Sequence, residues 1–206
     1  VLEDGKEYHC QFAGITIGVH PNIKFLEGSG IETNRGIMVD EQLRTNIPDV
    51  YAVGDCAQHR NPPSGRRPLE QIWYSGRMQG ETVAKTICGK PMKYVPGIFF
   101  NSAKFFDIEY QVYGQINAQQ QDFEEQFYWE HSDGEKAIRI AFDRESGVVI
   151  GFNLMGIRFR HHVCDRWLRE KRSIEYVLEH LEEANFDPEF YQKHEDEIAQ
   201  KFIQDY

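Results

Sequence analysis

The sequence predicts two units in series: an α/β lobe over residues 1–92, then an α+β domain with an antiparallel sheet and helices over residues 93–206. Three observations predict it. Short apolar runs punctuated by glycine lead into one long helical stretch, which Gly89-Lys-Pro91 stops. Tyr94-Val-Pro-Gly97 reads as a linker. Beyond it apolar and polar side chains alternate before the chain turns helical, the order of an α+β fold.

Size and charge bound the function. The 206 residues can bury one or two cores, and 27% charged with 13% aromatic residues is a globular composition. A formal charge of −10 argues against a protein that tracks nucleic-acid phosphates. No apolar run suggests a membrane span and no leader precedes the first elements. Cys10, Cys56, Cys88 and Cys164 form no Cys-x-x-Cys pair, which predicts reduced thiols in a cytoplasmic protein and no dithiol chemistry. The abrupt start at Val1-Leu-Glu-Asp-Gly5 reads as a cut from a longer chain.

In the first unit, Ile15-Thr-Ile-Gly-Val19 reads as a buried parallel strand and Ile37-Met-Val39 as a second. Gly28-Ser-Gly30 lacks the third glycine of a phosphate cradle. Thr45 to Asp55 predicts a turn around Pro48, a β-run from Val50 to Val53, and Gly54-Asp55 at the strand's end. Gly54 would let a ligand approach the backbone, and the Asp55 carboxylate suits a hydroxyl-rich chain such as a sugar or ribityl group. A bare Gly-Asp pair, by contrast, would merely close a turn.

A basic loop, His59 to Arg67, then precedes a helix expected from Pro68, a tolerated first position. Leu69, Ile72, Trp73, Gly76, Gly80, Val83 and Ile87 would share its apolar face. Each glycine there costs about 1 kcal/mol against alanine, so a neighbouring helix or a planar ligand is expected to come close.

In the second unit, Phe106, Ile108, Tyr110 and Val112 alternate with polar residues, followed by strands at 125–130, 137–142 and 148–155. His131-Ser-Asp-Gly134 and Asp143-Arg-Glu-Ser-Gly147 join the last three as hairpins, giving a meander. Helices follow over Ile157–Lys171, after a Ser173 cap, and from an Asp187-Pro188 start with Ile198 and Phe202 inward.

Three side-chain groups have rival readings. His161, His162 and Cys164 are metal-ligand types, but adjacent helical positions diverge by about 100°. Only His161 and Cys164 share a face, so no metal site is expected. Arg158, Arg160, Arg166, Arg169, Lys171 and Arg172 make either a solvated face or a dock for an acidic electron-carrier protein. His20 is read as a loop histidine, with a catalytic base as the alternative.

Longer patterns add a resemblance. Thr-x-x-Pro-x-x-Tyr-Ala-x-Gly-Asp, residues 45–55, resembles the second flavin motif of the FAD-dependent pyridine nucleotide oxidoreductases. That resemblance implies that Asp55 holds the ribityl O3′. Gly18-Val-His-Pro-Asn22 is similar to the family's Gly-x-Arg-Pro-Asn segment, with His20 in place of the arginine. The run from Trp73 to Gln79-Gly80 resembles a helix of the rubredoxin- and ferredoxin-reductase-like members. It implies a helix N-terminus near the flavin pyrimidine ring and Trp73 in the flavin or nicotinamide pocket.

Phe105 to Gly114, and Gly147-Val-Val-Ile-Gly-Phe-Asn-Leu-Met-Gly156, resemble the family's C-terminal dimerisation domain, which implies a homodimer. The family's N-terminal Gly-rich turn and NAD(P)H domain find no counterpart. The expectation is therefore the C-terminal part of an oxidoreductase passing electrons from NAD(P)H through FAD to an acceptor, a Rossmann-like partial lobe plus interface domain. Alone, such a piece is expected to bind FAD weakly or not at all and to be inactive, and the resemblance names no catalytic residue in it. A non-catalytic association module is the alternative.

Overall fold

Beyond residue 100 the alternation becomes sheet. In the computed structural model, which describes residues 4–63, 65–186 and 193–205, five strands form one antiparallel sheet. They are β3 (Phe100–Phe105), β4 (Ile108–Gly114), β5 (Glu124–Glu130), β6 (Ala137–Asp143) and β7 (Val149–Met155), in the order β3-β4-β7-β6-β5. Ahead of them lie β1 (Ile37–Val39) and β2 (Ala57–His59), a parallel pair, and helix α1 (Trp73–Ile87).

The expected hairpins at His131–Gly134 and Asp143–Gly147 are present, and β5, β6 and β7 pair in sequence. Two details differ. β4 lies against β7, not β5, so the sheet is not a simple meander. Phe106 is not a strand residue but the β3–β4 turn itself, at φ 53° and 97% exposed. Pairing of Phe105 with Ile108 leaves Phe106 and Asp107 to close the hairpin.

Helices α2 (His161–Arg169), α3 (Ile174–Glu179), α4 (Leu181–Ala184) and α5 (Glu195–Asp205) cover the sheet. α2 starts later than Ile157 because the preceding chain is extended, with Phe159 bridged to Asn185. Ser173 caps α3 as expected, its Oγ accepting the Tyr176 N–H at 3.3 Å. Asp187-Pro188 lies outside the described residues; the last helix begins at Glu195, after non-helical Lys193 and His194. Ile198 is buried on its inner face and Phe202 packs beside it.

Among the described residues, buried apolar side chains form two clusters. The larger joins the five-stranded sheet to α2–α5 through Trp167, Phe127, Phe152 and Ile140. The smaller holds Ile37, Val39, Leu43, Ala52, Ala57, Val83 and Tyr94 around β1, β2 and α1. The strand expected at Ile15–Val19 does not form: Ile15, Ile17 and Val19 are 81%, 92% and 78% exposed. A parallel strand is stable when sheet and helices cover it on both sides, and no described residue pairs with this run. Among the described residues, no helix is long and apolar enough to cross a membrane.

Candidate functional site

The Pro48 turn is built by Thr45. Its N–H donates to the Val50 carbonyl at 2.9 Å, its hydroxyl donates to the same carbonyl at 3.0 Å, and the Ile47 N–H donates to that hydroxyl at 3.2 Å. The turn folds Val50–Val53 back on residues 43–45, where Tyr51 bridges Arg44 and the Ala52 N–H reaches the Leu43 carbonyl. Among the described residues the run makes one isolated bridge and no longer ladder. Asp55 therefore does not end a strand; it sits in a tight helical turn, Gly54–Cys56, that enters β2.

Helix α1 holds this turn in place. Gly54 has φ 79°, a left-handed conformation that favours glycine. Its N–H donates to Gln79 Oε1 at 2.7 Å. A Cβ on Gly76 would lie 3.3 Å from Gly54 Cα, so the helix glycine makes room for the chain's own turn. Asp55 is exposed, and its carboxylate accepts no hydrogen bond and forms no ion pair among the described residues.

The helix starts at Trp73, not Pro68. Residues 66–70 are instead drawn alongside β2: Leu69 bridges Gln58, and the His59 N–H donates to the Pro68 carbonyl at 2.8 Å. No side chain caps α1 at Ile72. Trp73, in its first turn, is 67% exposed; its ring meets Tyr74 edge-on at 5.2 Å and the Arg77 guanidinium at 5.7 Å. The buried face of α1 is not the apolar stripe but Ser75, Gln79, Val83 and Thr86.

That face is polar because it meets a buried polar cluster. Arg66 Nε donates to Glu70 Oε1 at 2.7 Å, a second guanidinium nitrogen pairs with Oε2, and the Ser75 hydroxyl donates to Oε2 at 2.8 Å. Burial opposes ionisation of Glu70, but the Arg66 and Ser75 hydrogen bonds outweigh it and hold the carboxyl below its usual range. Arg66 also donates to the Gly97 carbonyl at 3.2 Å and faces the Phe99 ring at 5.4 Å. His59 stacks on Tyr94 at 5.3 Å and lies 3.3 Å from the Gln79 amide nitrogen. Burial holds its imidazole below the ordinary histidine value.

The tip of α1 also meets the sheet, with Tyr74 Oη 3.1 Å from Ser102 Oγ and its ring 4.8 Å from Phe100. Beside residues 67–72 a cleft of about 820 Å³ opens toward Phe99, Val112 and Ile116, with Arg35 and Arg67 on its wall. Asp55 and Trp73 do not line it.

The other candidates disperse. His20 is exposed on its loop. His161 packs against Phe100 and Tyr113 at 4.4 and 5.4 Å, while Cys164 is buried in the larger core with its thiol pushed far up by burial. Burial likewise raises the half-buried Cys56 thiol. Within the basic patch, Arg158 pairs with Glu109, Arg166 with Glu183, Arg169 with Asp165 and Arg172 with Glu170. Most of that positive charge is thus met on the protein itself. The reading of the sequence missed Gln79, Arg66 and Glu70. Ser75 and Gln79, four apart, were the available signal of a buried polar stripe.

Residues 1–80 match the family described as pyridine nucleotide-disulphide oxidoreductase. The curated relatives and solved structures that the chain is similar to are FAD-dependent pyridine nucleotide-disulfide oxidoreductases, a family that uses FAD and NAD(P)H. The chain is similar to pyridine nucleotide-disulfide oxidoreductase domain-containing protein 1 of Rattus norvegicus, at 30% identity over 75% of this chain and 32% of the relative. It is also similar to rubredoxin-NAD(+) reductase of Ectopseudomonas oleovorans, at 33% identity over 43% of this chain and 23% of the relative. Among solved structures, a ferredoxin reductase from Rhodopseudomonas palustris superposes with a TM-score of 0.62 at 25% identity, covering 76% of this chain and 37% of that one. The chain thus spans a third or less of these curated relatives' length.

Proposed function

We propose that this chain forms one wall of the flavin site in an NAD(P)H-dependent flavoprotein oxidoreductase. Asp55 would hold the ribityl hydroxyls, Gly54 would allow their approach, and Trp73 with the uncapped start of α1 would face the flavin pyrimidine edge. The observation that carries the reading is an unpartnered Asp55 carboxylate on a turn pinned to α1 by Gln79 and Gly76. The residues suit the group: a free acceptor meets hydroxyl donors, and an uncapped helix start favours an electron-rich ring edge. When bound, FAD supplies the transfer of hydride from NAD(P)H and onward passage of electrons to an acceptor, which we read as a small electron-carrier protein.

The chain's own residues bind and orient. Gln79 fixes the Gly54 N–H and so aims Asp55. Residues 1–92 would be the flavin-facing lobe and 93–206 an interface domain. Because the ADP half of FAD has no glycine-rich cradle here, the 206 residues alone should bind FAD weakly and lack activity. In the complete gene product, Asp55→Ala should weaken FAD binding by about 10–150-fold, the worth of a charged hydrogen bond of about 1.5–3 kcal/mol. FAD affinity unchanged by that substitution overturns the assignment.

One observation favours the association-module reading as a second function. The β3–β4 hairpin exposes Phe105, Phe106 and Ile108 beside edge strand β3, and such an edge invites pairing with another chain. Light scattering should then show a flavin-free dimer that Phe106→Lys returns to monomer. A dimer insensitive to that change removes the hairpin from the interface.

A further inference from the structure

Far from the Gly54–Asp55 turn, the end of β5 and the start of α5 bring two imidazoles and a carboxylate together. The potential ligand atoms of His131, His194 and Glu197 all lie within 4.8 Å of one another, and the two rings are 4.8 Å apart between centroids. We propose that these three side chains form a binding site for a divalent transition metal, zinc being the best match, that clips α5 to the β5–β6 hairpin.

The second observation is the state of His194. Its side chain is only 10% exposed, and its Nε2 is buried without a hydrogen-bond partner among the described residues. A buried polar nitrogen left unpaired is costly, and a metal ion would satisfy it. Glu197, half exposed and three residues on, stands 4.0 Å from the ring's other nitrogen, Nδ1, so its carboxylate has to swing round to share an ion with Nε2.

Donor chemistry selects the metal. Two imidazoles and one carboxylate suit zinc and its neighbours rather than calcium or magnesium, which take oxygen ligands. Tetrahedral zinc with bonds of about 2.1 Å sets its ligands ~3.4 Å apart, so the side chains must close in by about an ångström. The exposed Glu197 can swing, and the fourth position falls to water. His131 is already oriented: its Nδ1 lies 2.9 Å from Asp133 Oδ2 and 3.3 Å from the Asp133 backbone nitrogen, so that nitrogen is engaged by the turn and Nε2 is left for a ligand. Backbone N–H of Glu135, then Lys136 and His131, hold Asp133 ionised far below its usual range. Lys136, the neighbouring cation, is tied to that same Asp133 oxygen at 2.9 Å.

The test titrates the full 206-residue chain with Zn²⁺ in a calorimeter and with Co²⁺ in a spectrophotometer. One equivalent should bind, with cobalt bands of a tetrahedral nitrogen–oxygen site and no thiolate charge-transfer band. His131→Ala, His194→Ala and Glu197→Gln should each weaken binding at least tenfold. A Cys10→Ser/Cys88→Ser variant, which removes the two exposed thiols, should bind as before. Glu197→Gln changes a half-exposed side chain, so its loss of binding cannot be ascribed to unfolding. No zinc binding, binding lost with the cysteines, or binding unchanged by Glu197→Gln overturns the proposal.

Discussion

Gln79 does the work that the sequence assigns to nothing. It is 2% exposed within α1 and spends its carbonyl on the Gly54 N–H. Gln79→Leu keeps the volume but leaves that N–H without its acceptor, which should cost about 1–3 kcal/mol in denaturant unfolding. An unchanged midpoint would show that the turn finds another acceptor. Glycines separate on the same logic. A Cβ at Gly76 meets Gly54 Cα at 3.3 Å, a contact the turn can relieve by shifting slightly. At Gly151, opposite Gly114 in the sheet, it would stand 2.2 Å from the Gln115 carbonyl oxygen, fixed backbone that cannot give. Gly151→Ala should therefore lower the melting temperature far more than Gly76→Ala; equal losses would contradict the packing.

Among elements, the connection from β2 to the sheet depends on the Arg66–Glu70 pair. Both side chains are under a tenth exposed, and Arg66 reaches Ser75 on α1, Gly97 in the linker and the Phe99 ring. Removing one partner of a buried pair leaves an uncompensated charge, so Arg66→Met should cost about 3–5 kcal/mol. It should also speed amide exchange over residues 97–99; intact protection there would detach the pair from the linker. This pair shows what the sequence could and could not disclose. β4 to β7 were legible because one face is buried and period two survives in the residues themselves, as Ser173 was legible because a cap is local. The α1 start was not, since Pro68 is a good first helical residue that tertiary pairing of Leu69 with Gln58 pulls into an extended path. Ile15–Val19 reads as a strand by composition, yet a strand exists only where a neighbour accepts its hydrogen bonds. Asp55 was found through a pattern of eleven residues; the cluster at His131 and His194 joins positions 63 apart, with no local spacing to announce it.

Over the whole molecule, two cores of unequal size set the stability. The cluster around β1, β2 and α1 is far smaller than the one beneath the five-stranded sheet, and a small core retains little surplus over chain entropy. Phe12, Ile15, Ile17 and Val19 contribute nothing to it, being exposed. Unfolding should therefore run in two steps, with amides of β1, β2 and α1 exchanging at denaturant concentrations that leave β5–β7 protected. Acid should also weaken this region. His59 is held below its usual value, so the folded state binds fewer protons than the unfolded one. Its contribution is complete above the unfolded value of about 6.5 and is lost as pH falls through that value toward the depressed one. Glu70 adds a loss of the same sign, beginning lower, near the unfolded carboxylate value of about 4.5. The first step should move to lower denaturant between about pH 7 and 5, and His59→Gln should flatten that dependence. The second core carries two depressed histidines of its own, His161 and His194, so its step should shift in the same direction, and His59→Gln should leave that shift unchanged. A single transition shared by both regions, or a first step indifferent to pH in this range, would mean that the polar cluster at Arg66 fuses the two cores into one cooperative unit.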